Sequence, residues 1–206
     1  MANRTVATAQ SVHGTNPQYL IEKAYRQRVY DSLYWKEHCF GLTVTGVMEK
    51  ASELTSIGGC YGTNRRPTEF FCLTLKLLQL QPDRQMIDVL LDQTDFKYLR
   101  ALAAMYFRLT QPPKDVYEKL EPLYGDYRKL RKRSSDGPFE LTFMDEFVDS
   151  LLRENFVCFI TLPHITKRMV MEDAGVLAPR ISPLDEDDDD DNYSSNGENS
   201  SVHSSN

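Results

Sequence analysis

The 206 residues carry 24 Lys and Arg against 30 Asp and Glu, a formal net charge of −6. A chain of this size buries enough surface for one domain without disulfides or metal, and no run approaches the roughly 20 apolar residues of a membrane span. The charge is uneven, because residues 185–206 hold eight acidic groups and no Lys or Arg, which leaves +2 on the rest.

The four cysteines (Cys39, Cys60, Cys72, Cys158) form no CxxC pair. Cys72 and Cys158 stand among apolar residues, where free cysteine behaves as a small hydrophobe. The first residues, MANRTVATAQSVHG, hold no apolar core of signal-peptide length. These features predict a reducing compartment, cytosol or nucleus.

In chain order, Asn16-Pro17 marks a helix start, followed by Ile21, Tyr25 and Val29 at helical spacing. The segment Tyr30–Gly41 fits no template. Thr43 caps a second helix with a stripe through Val44, Val47, Met48, Ala51 and Leu54. A glycine-rich turn, Gly58-Gly59-Cys60-Tyr61-Gly62, then leads into a segment bracketed by Pro67 and Pro82. Its apolar residues, Phe70 to Leu80, cannot share one stripe, and a helix apolar all round must be enclosed by other elements. It is the predicted central helix of an all-α domain.

Pro82 starts a fourth helix, and Asp95 caps a fifth that follows the 3.6 period through Leu99, Leu102, Ala103, Tyr106 and Phe107. Pro112-Pro113 stops it, and a shorter helix carries Val116, Tyr117 and Leu120. After Pro122 a helix resumes through Leu123, Tyr127 and Leu130. Ser134–Pro138 is a loop. Thr142-x-x-Asp145 resembles a capping box ahead of Phe147, Val148, Leu151 and Leu152. A last helix follows Pro163. Phe139–Phe143 and Phe156–Leu162 are compatible with strand but alternate poorly. From Asp185 onward the composition predicts disorder. The expected organisation is a helical domain over 1–184 and an acidic tail over 185–206, with Ser195 as an acid-directed phosphorylation site.

Little here points to catalysis. There is no HExxH, no His/Cys cluster and no nucleophile with an evident base, so no catalytic residue, metal ligand or cofactor is assigned. The glycine turn lacks the Gly-Lys-Ser/Thr continuation of a phosphate loop. It reads as a turn needing positive φ and close backbone approach, with Arg65 and Arg66 near a helix N-terminus as a candidate anion site. In the run Arg128, Lys129, Leu130, Arg131, Lys132, Arg133, two readings stay open. One is a nuclear-import or nucleic-acid patch; the other is the basic C-terminus of a helix. With no aromatics interleaved, RNA would be met mainly at its phosphates. Aromatics on broken segments, Tyr34 and Trp35 in one place and Tyr117, Tyr124 and Tyr127 in another, are candidate partner-binding anchors, or plugs that fix loops to the core.

Several blocks carry a resemblance: His13-Gly14-Thr15-Asn16-Pro17-Gln18-Tyr19-Leu20, Tyr34-Trp35-Lys36-Glu37, Cys72-Leu73-Thr74-Leu75-Lys76, Asp95-Phe96-Lys97-Tyr98, and Leu120-Glu121-Pro122-Leu123-Tyr124. With the start Met1–Val6 they span residues 1–184, and the chain closely resembles the pre-mRNA-splicing factor 38 family. The resemblance implies a non-enzymatic helical scaffold in the nucleus. It would join the precatalytic spliceosome with the tri-snRNP and serve spliceosome activation. The implied partners are a zinc-finger splicing protein and a microfibrillar-associated-protein homologue. Direct RNA binding through residues 128–133 is the alternative. Many animal members carry an arginine-serine-rich extension, where this sequence has its acidic Asp/Ser/Asn run.

Overall fold

A computed structural model describes residues 3–180. The predicted disorder from Asp185 and the Ser195 phosphorylation lie outside the described residues. The architecture is mainly helical, as the sequence predicts. The helices are α1 (Lys23–Asp31), α2 (Val44–Ser52), α3 (Glu69–Leu80), α4 (Arg84–Asp92), α5 (Lys97–Thr110), α6 (Pro113–Leu120), α7 (Met144–Arg153) and α8 (Arg168–Asp173). Three short antiparallel hairpins join them: β1 (Cys60–Tyr61) with β2 (Arg66–Pro67), β3 (Lys129–Arg133) with β4 (Phe139–Phe143), and β5 (Phe156–Val157) with β6 (Ile160–Thr161). The chain divides into a large unit up to Thr166 and a small one from Lys167. In the small unit, α8 closes with Gly175 at φ 66° and the Val176 and Leu177 amides donating to the Met171 carbonyl.

Helix α3 is enclosed as its composition requires. Thr68 caps it by accepting from the Phe71 amide, and every residue from Phe70 to Gln79 is buried. Helices α1, α2 and α5 pack against it. It is not alone at the centre, however: α5 is buried from Leu99 to Leu109, including Arg100 and Arg108. Those arginines make α5 read as amphipathic in sequence. In the fold they meet polar partners inside, Arg108 donating to the carbonyls of Leu151 and Pro163, each at 2.8 Å.

Other boundaries shift for local reasons. Asn16 does cap a helical turn, but it is a 3-10 turn (Pro17–Leu20), and α1 starts only at Lys23. The unclassified Tyr30–Gly41 contains the end of α1 and a π-turn over Trp35–Cys39. The cap of α4 is Asp83, one residue after Pro82. The predicted Asp95 cap is absent: α5 follows Phe96, whose amide is met instead by the Gln93 side chain at 2.9 Å. The α7 capping group is displaced by one residue, with Glu146 accepting from the Phe143 amide and the Thr142 hydroxyl. Pro122 opens a 3-10 turn (Glu121–Gly125), after which the chain becomes strand, not helix.

Candidate partner-binding surfaces

The glycine turn is a packing junction. Gly58 sits at φ +145°, and a Cβ there would lie 3.0 Å from the Arg133 carbonyl oxygen. At Gly59 a Cβ would fall 2.3 Å from the carbonyl oxygen of Cys158, closer than any side chain can tolerate. Thr68 locks the same turn by donating to the Gly58 carbonyl at 2.7 Å. The turn therefore brings β1, β3 and the tight β5–β6 turn together. Of the two candidate anion-site residues, Arg65 is left-handed (φ 48°) with its guanidinium 5.2 Å from the Phe159 ring centre, and Arg66 is exposed on β2.

The candidate aromatic anchors separate by burial. Trp35 is a core residue whose indole N–H donates to Asn3 Oδ1 at 3.1 Å. Tyr117 is buried and donates to the Thr166 carbonyl at 3.1 Å. Tyr124 is half-buried and donates to Asp149 at 2.8 Å. Tyr34 is half-buried against His38, and burial pushes its hydroxyl pKa up. Of these five, only Tyr127 offers an open ring, 72% exposed. It borders a cleft of about 610 Å³ lined also by Pro122, Gly125 and Asp126. Exposed apolar residues that the sequence reading passed over include Leu33, Val89 and Leu141. Val89 sits on the outer face of an amphipathic helix, a mismatch visible in sequence. Leu141 has no such signal without the strand register.

The basic run is not a helix C-terminus. Lys129–Arg133 forms β3, paired with β4 in the register Arg133↔Phe139, Arg131↔Leu141 and Lys129↔Phe143. On its other edge, Ile57 receives a hydrogen bond from Arg133 and gives one to Arg131, both at 2.8 Å. Leu130 points inward and is fully buried, so the flanking cations face out. Arg128 departs from the run. Its guanidinium binds Asp126 at 2.7 and 2.6 Å, and Arg100 binds the same carboxylate at 2.9 Å. Burial alone would raise the Asp126 pKa, but the hydrogen bonds from Arg128 and Arg100 outweigh it and bring it down to about 2.

The four cysteines are buried and unpaired. Burial raises the Cys39 and Cys158 pKa to about 12 and that of Cys60 to about 11, so these thiols stay protonated at neutral pH. They act as packing groups.

Residues 10–175 match the model of the PRP38 family. The chain is 56% identical over 189 residues to pre-mRNA-splicing factor 38A of Xenopus laevis, covering 92% of this chain and 61% of that protein. It is 55% identical over 189 residues to the Homo sapiens protein of the same name, covering 92% of this chain and 61% of the relative. Pre-mRNA-splicing factor 38 of Drosophila melanogaster is 54% identical over 187 residues, covering 91% of this chain and 57% of that protein. The chain thus spans about 60% of the length of these relatives. Its fold superposes with a TM-score of 0.82 and 41% identity on a chain of the crystal structure of the Snu23-Prp38-MFAP1(217-258) complex of Chaetomium thermophilum, covering 90% of this chain and 98% of that one. On this agreement of sequence and fold, the chain belongs to the PRP38 family.

Proposed function

We propose that the protein is a non-enzymatic scaffold of the spliceosome, working in the nucleus, that holds segments of partner proteins in the precatalytic particle with the tri-snRNP. The reading extends to spliceosome activation. Its implied partners are a zinc-finger splicing protein and a microfibrillar-associated-protein homologue. One observation carries it: the fold likeness, at 41% identity, to a chain of the Snu23-Prp38-MFAP1(217-258) complex. A core built on two buried helices, with side chains such as Tyr127, Leu33 and Val89 left open on the surface, suits that role.

The test is immunoprecipitation of the full chain from nuclear extract, treated with RNase so that protein contacts alone are read. Recovery of both partner homologues supports the proposal, and recovery of neither overturns it. Tyr127→Ala should weaken partner recovery by about tenfold or more if Tyr127 is a hot spot of the interface, since truncating a hot-spot tyrosine costs about 2 kcal/mol or more.

A further inference from the structure

The outward face of the β3–β4 hairpin gathers cations that meet no carboxylate. Lys129, Arg131 and Arg133 alternate along β3, and none makes an ion pair among the described residues. Each arginine lies against a ring. The guanidinium of Arg131 is 4.0 Å and that of Arg133 3.9 Å from the centre of the Phe139 ring, and Arg133 is also 4.5 Å from Tyr61. At one end, the Arg131 amide donates to the Tyr98 hydroxyl, while Lys97 lies over the Tyr98 ring and donates to the Lys129 carbonyl. At the other end, Tyr61 pairs with exposed Arg66 across β1 and β2, a hairpin tied to the β3–β4 loop by the Gly62 amide on the Ser135 carbonyl. The rings that the linear run lacks are thus supplied by three separate segments.

We propose that this band binds single-stranded nucleic acid, with the cations on successive phosphates and the bases against the outer groups of the stack, the Arg131 guanidinium plane and the Tyr61 ring, while Phe139 between the two arginines holds them flat. Same-face residues on a strand recur every two positions, about 6.7 Å apart, a spacing comparable to that of phosphates along an extended strand. Exposed bases stack on aromatic rings and on arginine planes, and such stacking tolerates any sequence. A duplex keeps its base faces hidden, and an acidic peptide has charge but no flat face to place on the rings. Arg128 is outside the band, being held by Asp126. The inference stands independently of the scaffold reading.

The test is fluorescence anisotropy of the full chain with a fluorescein-labelled 12-nucleotide oligouridylate over a salt series. Five cations on phosphates give a slope of log K against log salt of about −3.5. The double variant Lys129→Gln/Arg131→Gln should bind about tenfold or more weakly and bring the slope to about −2. Phe139→Leu, which keeps the charge but removes the plane that holds the two arginines flat, should weaken binding roughly fivefold or more. Circular dichroism and the melting temperature establish that each variant is folded; should the double variant unfold, Phe139→Leu decides alone. Absence of salt-dependent binding by the parent protein, or unchanged affinity in the folded variants, overturns the proposal. So does equal displacement of the probe by a duplex RNA or by a glutamate-rich peptide, the latter pointing to an acidic protein partner. Partner recovery under RNase is unaffected by the band, so the two proposals fail separately.

Discussion

Two buried charges show how single residues hold this protein together. Arg108 is 2% exposed and has no carboxylate partner among the described residues; carbonyls of Leu151 and Pro163 receive its N–H groups instead. Burial lowers its pKa. Removing it would leave a cavity and strip both carbonyls of a charge-assisted donor, so Arg108→Ala should destabilise the protein by about 3 kcal/mol or more, read by urea unfolding. Asp126 behaves differently, because its folded pKa of about 2 lies below the ordinary carboxylate value near 3.9. A depressed pKa adds stability that is present above the unfolded value and is lost as pH falls through the folded one. Asp126→Asn should therefore cost about 2 kcal/mol at pH 7 and flatten the acid limb of the stability curve between about pH 4 and pH 2. An unchanged limb in a pH series of chemical melts would count against the Arg100–Asp126–Arg128 clasp. The clasp also explains why Arg128, indistinguishable in sequence from its basic neighbours, does different work from them.

At the scale of elements, the glycine turn and the hairpins decide most of what the sequence left open. Gly59 abuts the Cys158 backbone, whereas Gly62, at φ +70°, has nothing within 4 Å of where a Cβ would sit. Gly59→Ala should thus cost about 3 kcal/mol by forcing two backbones apart, and Gly62→Ala only about 1 kcal/mol of backbone strain. Equal effects in thermal melts would mean that the close approach does not constrain the fold. Strand β3 is likewise decided by its neighbours. Lys129–Arg133 has no strand pattern of its own beyond one inward Leu130, and it is extended because Ile57 and β4 supply hydrogen bonds on both edges. Helix periodicity is local and survives in sequence. Pairing with residue 57 or with β4 is not, so this segment read as the end of a helix. The Thr43 cap of α2, which accepts from the Gly46 amide at 3.3 Å, was legible because its bond closes within one turn.

For the molecule as a whole, the mainly helical class and the enclosure of α3 followed from composition and spacing. An all-round apolar segment of that length has one physical outcome in water, burial among other elements. The full burial of α5 did not follow, since Arg100 and Arg108 become acceptable inside only when Asp126 and the Leu151 and Pro163 carbonyls arrive from distant parts of the chain. The N-terminal arm is another case: Gln18, buried, accepts from Tyr30 at 2.6 Å and from Gln79 at 3.0 Å and donates to Thr5, tying the arm to α3 in a way no local pattern announces. Candidate surfaces were the least legible level. Tyr127 and Trp35 are both aromatics on irregular segments, yet one is open and the other in the core. The sequence by itself determined the class of fold, the central helix and the family, because these rest on local periodicity, capping and long matched blocks. Tertiary structure alone decided which aromatics face water, which arginine is clasped and which rings meet the basic strand, because each depends on groups far apart in the chain brought within a few ångströms.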